Sequence, residues 1–232
     1  MNALPINKIF LAGFAFALTH WKKVLEISII PLLVSLPFLT IFPDLLALME
    51  QVFAAEKLVE VSFPEHSLLY LMLFFYGYIS LSINMYRLVI LGENSVSGLA
   101  PIIDIGMILK FVGLTLFIGA VTVFPVMITG VALLQLVMYF LIIPVTLNFI
   151  NIATNKPSQY KWGLSFPTHM NLFFLQAVLP AMVTLLFSAL VNIIGFGGFI
   201  EWVVRVVVFY WTLVTLALCY RLIIANNEEK NL

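Results

Sequence analysis

Long apolar segments are the feature of this sequence that most limits how it can fold. One of them runs from Ser67 to Leu91 and holds a single charged side chain, Arg87. About 20 apolar residues are enough to cross the hydrocarbon core of a bilayer. Only 9% of the residues are charged and 63% are hydrophobic, whereas a soluble domain is about one quarter charged and about half apolar. The sequence therefore predicts an integral membrane protein.

The hydropathy pattern predicts an all-α bundle of six transmembrane helices, arranged as three hairpins in a single membrane domain, 1–232. Pro125 and Gly130 in "PVMITG" predict the turn of the second hairpin, and "GFGGF" at 195–199 predicts the turn of the third. The predicted spans are residues 24–42, 67–91, 110–126, 131–152, 171–194 and 202–224.

The segment between the first two spans, 43–66, is rich in both leucine and glutamate. Asp44 follows Pro43 and has the side chain of a helix N-cap. One prediction is an amphipathic helix on the outer leaflet that begins at Asp44. The other is an acidic loop that only covers the bundle, and the sequence leaves both open.

Short amphipathic stretches precede the three hairpins, at residues 7–20, 97–109 and 158–169, and are predicted to lie at the interface. The first also resembles a signal sequence, but "THWKK" and a full span follow it at once. "THWKKVLEISIIP" (19–31) and "THMNLFFLQAVLP" (168–180) begin and end alike. This similarity fits duplicated hairpins, with chance agreement between hydrophobic stretches as the alternative.

The distribution of lysine and arginine predicts the orientation of the chain. With six spans, nine of the eleven basic residues fall on one side, and the other side carries mainly acidic residues. Because cytoplasmic loops are enriched in lysine and arginine, we expect both termini in the cytoplasm. The net charge of zero gives no reason to expect nucleic acid as a partner.

A family resemblance rests on this layout and on one short stretch, "YRLVILGE" at 86–93. The chain resembles a broad bacterial group that includes the YciC-like inner-membrane proteins and the membrane domain found with some glycerophosphodiester phosphodiesterases. The stretch is similar to an Arg…Leu-Gly-Glu ending in members of that group. The resemblance implies a six-span fold in the bacterial cytoplasmic (inner) membrane, and it implies no reaction.

The sequence shows no catalytic or cofactor-binding constellation. His66 lies on the opposite side of the predicted membrane from His20 and His169. Those two share the cytoplasmic interface but flank their helices, whereas haem ligands face each other inside a bundle. Cys219 is the only cysteine. The serines of "NSVSG" at 94–98 stand in a loop where they would cap the next helix. We therefore expect a protein that is not an enzyme and has no cofactor or metal.

Charged residues near the membrane are candidates for ion pairs or for function. Arg87 and Glu26 lie at similar depth on the cytoplasmic side, so Arg87 is expected to pair with Glu26 or Glu93, or to extend to lipid phosphates. Glu201 and Arg205 have the i,i+4 spacing of a local ion pair at the outer start of the sixth span.

Ser80, Asn84 and Arg87 share one face of the second span at helical spacing. Such groups usually join helices by hydrogen bonds, but they could also line a polar cavity and contact a lipid headgroup. The leading hypothesis is a non-enzymatic accessory, scaffold or lipid-organising protein. The alternative is a transporter or flippase-like carrier of a small amphiphile or lipid. The expected partners are membrane lipids and other membrane proteins, with no soluble substrate.

Overall fold

The computed structural model of the chain describes residues 4–54, 63–97, 104–159, 161–194 and 198–228. Within these ranges the long regular elements are α-helices, and there is no strand. The α-helices are α1 (Ile6–Thr19), α2 (Trp21–Ala54), α3 (Ser67–Leu91), α4 (Ile105–Thr129), α5 (Leu133–Ile142), α6 (Asn148–Ala153), α7 (Phe166–Phe173), α8 (Leu179–Ile194) and α9 (Gly198–Glu228).

Six helical segments in the described ranges are long and apolar enough to cross a membrane, which confirms the prediction of an all-helical protein with six candidate spans. Each predicted span overlaps one of them. These segments are Trp21–Leu48, Ser67–Leu91, Ile105–Thr129, Leu133–Ala153, Phe166–Val191 and Ile200–Asn226.

The first span is longer than predicted, because α2 continues through Pro43 to Ala54. The expectation that Asp44 caps a new helix is therefore wrong: Asp44 lies inside α2. Pro31, Pro37 and Pro43 all lie inside α2. Transmembrane helices tolerate proline, because neighbouring helices, hydroxyl groups and local backbone adjustments satisfy the groups that it frees. Ser35 Oγ donates to Pro31 O at 2.8 Å in the same helix. Residues 55–62 of the outer segment lie outside the described ranges, and its place on the leaflet stays a prediction.

The turn between the third and fourth spans lies at Gly130. Its φ of 69° is in the left-handed region, and its N–H donates to Val126 O at 2.7 Å, which closes the end of α4. Glycine is favoured at this position because it adopts a positive φ without strain. Pro125 belongs to α4 and does not open the turn, in contrast to the prediction. The predicted turn at 195–199 falls mostly outside the described residues.

The fourth and fifth spans are not continuous α-helices. A 3-10 segment, Ile143–Leu147, separates α5 from α6, and a π-helical segment, Phe174–Val178, separates α7 from α8. Pro144 explains the first interruption, because it has no N–H to donate to the carbonyl of Phe140. The second interruption ends just before Pro180. Broken spans of this kind are found where the backbone is surrounded by protein.

The helix that precedes the first span, α1, packs closely against α9. A Cβ atom on Gly13 would lie 2.9 Å from Trp211 Nε1 and 3.1 Å from Thr215 Cγ2, so glycine permits this approach. The other two predicted interfacial stretches form no separate helix in the described residues. Of 97–109, the part from Ile105 onward belongs to α4, and residues 161–165 of the third stretch are a loop that leads into α7.

The core of the bundle lies at one end, which we call the base: the end at which α3, α6 and α9 finish. The base half comprises α3 from Gly77, the fourth span from Ile142, the fifth span up to Val178, and α9 from Trp211. Its most deeply buried side chains include Ile83, Met85, Leu147, Ile150, Leu172, Leu175 and Ile223. The opposite, far half exposes large apolar side chains that include Leu68, Met72, Leu116, Phe124, Met127, Ile128, Leu185 and Ile193.

Candidate functional site

Arg87 lies in the last turns of α3 and is half-buried against the ends of two other helices. Its Nε donates to Ala153 O at 2.7 Å, and its Nη2 lies 3.5 Å from Met107 Sδ. Ala153 is the last residue of α6, where carbonyl groups lack partners within the helix. A cation also interacts favourably with the negative end of the helix dipole. Arg87 therefore acts as a cap that joins α3 to α6.

The expected ion pair of Arg87 with Glu26 or Glu93 does not form in this structure. Glu93 accepts from His20 Nδ1 at 2.7 Å, and Glu26 accepts from Lys23 Nζ at 3.0 Å. Both carboxylates are thus hydrogen-bonded to other side chains. Arg87 instead donates to the carbonyl of Ala153 inside the bundle. The sequence alone does not show that the end of α6 lies next to Arg87.

Asn148 and Asn151 lie in α6 and are almost fully buried, at 3% and 1% exposed. Asn148 Nδ2 donates to Gln159 O at 2.8 Å, and Asn148 Oδ1 accepts from Gln159 N at 2.8 Å. Asn151 Nδ2 donates to Asn148 Oδ1 at 3.1 Å, and Tyr220 Oη of α9 donates to Asn151 Oδ1 at 2.7 Å. This asparagine network fixes the loop after α6 and ties it to α9.

Ser80 and Asn84 are also buried in the base half, at 3% and 6% exposed. Like Arg87 they belong to α3, and that the three share one face of the helix stays a prediction. The cavities described below are lined by other residues. Their predicted contact with a lipid headgroup stays a prediction, and in this structure the two side chains are closed off between helices.

His169 compensates for the proline in the fourth span. Its Nε2 donates to Phe140 O at 2.6 Å, the carbonyl that Pro144 leaves without its usual helical partner. The imidazole also packs against the Phe140 ring, with 4.5 Å between ring centroids. The signal for this contact is present in the sequence, because a proline in a span always frees the carbonyl four residues earlier.

Two further hydrogen bonds join spans within the bundle. Gln176, in the π-helical segment, donates from Nε2 to Thr215 Oγ1 of α9 at 3.0 Å. Tyr210 Oη of α9 donates to Ser28 Oγ of α2 at 2.6 Å. Hydrogen bonds of this kind between transmembrane helices are worth about 0.6 kcal/mol each on average. Polar side chains inside this bundle therefore serve largely to connect helices.

The loop serines and the histidines have structural contacts rather than a catalytic arrangement. Ser95 Oγ donates to Gly92 O at 2.6 Å and to Arg87 O at 3.2 Å, so it closes the end of α3 instead of capping the next helix. Cys219 is fully buried in α9. In the part of the chain that the structure describes, no three His, Cys, Asp or Glu side chains come together as a metal site would require.

In the far half, Arg205 Nη2 donates to Glu201 Oε1 within the first turns of α9. Glu201 Oε1 also accepts from Ser188 Oγ of α8 at 3.1 Å. The carboxylate thus takes part in a contact between the last two spans. The sequence spacing predicts a local pair between Glu201 and Arg205, and Ser188 adds a contact that the spacing does not indicate.

The bundle has cavities of two kinds. A polar cavity of about 300 Å³ opens at the base, between the start of α4 and the loop after α6. Its polar side chains belong to Asp104, Lys110, Asn155, Lys156 and Ser158. Three grooves of about 300 to 330 Å³ are almost wholly apolar and lie between spans: α3 with α4, α2 with α3 and α9, and α1 with α8 and α9.

Comparisons with known proteins give no relative for this chain: no family model, no curated protein and no solved structure matches it.

Proposed function

We propose that this chain is a non-enzymatic integral protein of the bacterial cytoplasmic membrane that acts through packing, as an accessory, scaffold or lipid-organising component. The observation that carries the proposal is the use of the buried polar side chains in the base half. Asn148, Asn151 and Tyr220 each bond to another part of the bundle. A protein that moves a polar solute needs such groups along a path, whereas here they join helices.

The exposed apolar surface of the far half also supports this proposal. Its large apolar side chains are exposed, and the three grooves between the helices of the bundle have almost no polar lining. Apolar grooves of this size on a membrane-facing surface suit the acyl chains of lipids or the helices of other membrane proteins. The proposed partners are therefore membrane lipids and neighbouring membrane proteins.

The orientation belongs to this proposal. We place the base of the bundle, with both termini, at the cytoplasmic side, because Lys22, Lys110, Lys156 and Arg221 all stand at helix ends or loops of the base. The six spans then form three hairpins, which fits the packing of α2 on α3, α4 on α5 and α8 on α9. The apolar helix α1 would lie along the cytoplasmic interface.

A carrier of a small amphiphile or lipid remains the second candidate, and one observation favours it. The fourth and fifth spans are both interrupted, by the 3-10 segment Ile143–Leu147 and the π-helical segment Phe174–Val178. Transporters often build their sites on such broken helices, and π-helical turns are frequent at functional sites. A carrier would have to open the face of Ser80, Asn84 and Arg87, which this structure closes.

The experiment that tests the proposal is purification in a mild detergent, followed by identification of the lipids and proteins that remain bound. A six-span inner-membrane protein of unrelated function, purified in parallel, is the control. We expect a defined lipid class or a partner protein to be enriched over the control. If neither is enriched, and the reconstituted chain speeds lipid movement between leaflets of a vesicle, the carrier replaces the scaffold.

A further inference from the structure

The polar cavity at the base is built from two separate parts of the chain. Lys110 comes from the second turn of α4, and Lys156 comes from the loop after α6. Met107 and Ile152 form its apolar floor and are both buried, at 3% and 7% exposed. A cavity of about 300 Å³ lies at the lower end of the size range of small-molecule sites. It is large enough for a phosphate group with a small substituent.

The loop that carries Lys156 is held in one place by buried side chains. Asn148 bonds to both the N–H and the carbonyl of Gln159, and Lys156 N donates to Asn151 O at 2.7 Å. Asn155 between them adopts the left-handed conformation, with φ of 56°. The asparagine network therefore fixes the position of the wall from which Lys156 extends, so a ligand need not order this loop on binding.

The charges of the cavity favour an anion. Lys110 and Lys156 supply two ammonium groups, and Lys156 Nζ is placed 5.7 Å from the centroid of the Tyr220 ring. Asp104 is the single acidic residue of the lining, and its Oδ1 accepts from Met107 N at 3.0 Å. This carboxylate is thus engaged in capping α4. Arg87 stands behind the floor, where it contacts Met107 Sδ, and adds a third positive charge nearby.

We infer that this cavity binds a phosphate group, with the ammonium groups of Lys110 and Lys156 as its hydrogen-bond donors. The inference rests on the cavity and its two lysines, since the first turn of α4 is already capped by Asp104. Two sources share this chemistry: the headgroup of an anionic phospholipid and a small soluble phosphate ester. A lipid ligand would specify the lipid class of the proposed function, and this version of the inference rests on that function. The soluble source does not.

The test uses the full chain in mild detergent. Phosphatidylglycerol and phosphatidylcholine are added, and bound lipid is measured by native mass spectrometry. Glycerol 3-phosphate is titrated separately by calorimetry. We expect Lys110→Gln and Lys156→Gln each to weaken binding of phosphatidylglycerol about fivefold, because one basic residue near anionic lipid contributes about that factor. Lys161→Gln is the control, since Lys161 is an exposed lysine of the same region outside the cavity.

A variant without a change of charge guards against a purely electrostatic effect. Ser158→Tyr places a ring in the cavity, and we expect it to reduce phosphatidylglycerol binding at an unchanged melting temperature. If glycerol 3-phosphate binds and is lost in the same variants, the phosphate site is supported with a soluble source. If bound lipid and glycerol 3-phosphate are both insensitive to the changes at Lys110, Lys156 and Ser158, the inference is overturned.

These outcomes separate the inference from the proposed function. Enrichment of a lipid or protein partner that ignores the cavity variants, together with glycerol 3-phosphate binding that is absent or equally insensitive to them, overturns the phosphate site and leaves the scaffold proposal standing. Glycerol 3-phosphate binding that depends on Lys110, in a chain that enriches no lipid or protein, supports the site and contradicts the scaffold proposal.

Discussion

The two halves of the bundle differ in what surrounds their side chains. In α3, Gly77 is the first buried residue, and the helix is then largely buried from Ile79 to Val89, whereas Leu68 and Met72 are exposed. In α9, Trp211 to Tyr220 are mostly buried, whereas Trp202 and Val207 are exposed. The base half is therefore packed as protein against protein, and the far half is left to lipid.

The difference shows how this chain gains cohesion in a solvent that is itself apolar. Lipid tails are as apolar as leucine, so no hydrophobic effect drives helices together within the bilayer. Close packing at small residues and hydrogen bonds between helices must do so instead. Both are concentrated in the base half, at Gly77 and in the asparagine network. Changes there should destabilise the protein, and matched changes in exposed positions should not.

Close packing between α2 and α3 gives the largest expected effect. A Cβ atom on Gly77 would lie 2.6 Å from Pro31 O, a backbone atom that cannot turn away. We expect Gly77→Ala to lower the free energy of unfolding by about 3 kcal/mol, the upper range for overpacking. An SDS unfolding titration measures this change.

The matched control is Gly113→Ala in α4, where a new Cβ would meet no atom within 4 Å. Because alanine is the better helix former, this change should leave stability the same or raise it by up to about 0.8 kcal/mol. Equal losses in the two variants would contradict the close approach of α2 and α3 as the cause of the loss in Gly77→Ala.

Asn148→Leu tests the asparagine network. It removes two hydrogen bonds to Gln159 and one from Asn151, so we expect a loss of about 2 kcal/mol, at about 0.6 kcal/mol for each bond. Gln135→Leu is the control in the far half, where the amide of Gln135 is exposed on α5. The same unfolding titration should detect no loss there. Similar losses from both changes would contradict the distinction between the halves.

The guanidinium of Arg87 offers a third comparison. Arg87→Met removes the charged donor to Ala153 O and should cost about 1.5 kcal/mol, the lower range for a hydrogen bond to a charged group. Arg205→Met removes an exposed arginine of the far half whose partner is four residues away, and surface pairs often contribute nothing measurable. A larger loss from Arg205→Met would contradict the capping role of Arg87.

Replacement of His169 is expected to cause the smallest loss of stability. A double-mutant cycle with Pro144 tests the role of this side chain. His169→Phe leaves Phe140 O without its donor and should cost about 0.6 kcal/mol. In a Pro144→Ala background the backbone N–H at position 144 can serve that carbonyl, so the cost should vanish. Thermal unfolding of the four proteins of this double-mutant cycle measures the coupling. Equal costs in both backgrounds would show that His169 does not compensate for Pro144.

Features that depend on a single segment of the chain could be predicted from the sequence, whereas contacts between distant segments could not. The six candidate spans could be predicted because hydropathy is a property of each segment alone, as the Ser67–Leu91 helix shows. The continuation of α2 through Pro43 was missed, since proline usually ends a helix in water. In a transmembrane helix proline is tolerated more readily, because neighbouring helices and local backbone adjustments satisfy the groups that it frees.

The candidate site was harder to predict, because its contacts join residues far apart in the chain. Arg87 was identified as unusual, but its partner Ala153 is 66 residues away and presents only a backbone carbonyl. Lys156 is one of the nine basic residues that predict the cytoplasmic side, and its place in the same cavity as Lys110 depends on the asparagine network. No sequence pattern in a single segment contains that information.

The polar side chains of the base half are closed off between helices and do not line a path for a solute. Accessibility of Asn84 tests it most directly. The native thiol of Cys219 is fully buried, so the background reactivity of the chain should be low. Asn84→Cys is treated in membranes with a water-soluble maleimide, with Ser97→Cys in the exposed loop as the positive control. We expect that only the control is labelled, and labelling at position 84 would contradict the closed packing of these side chains.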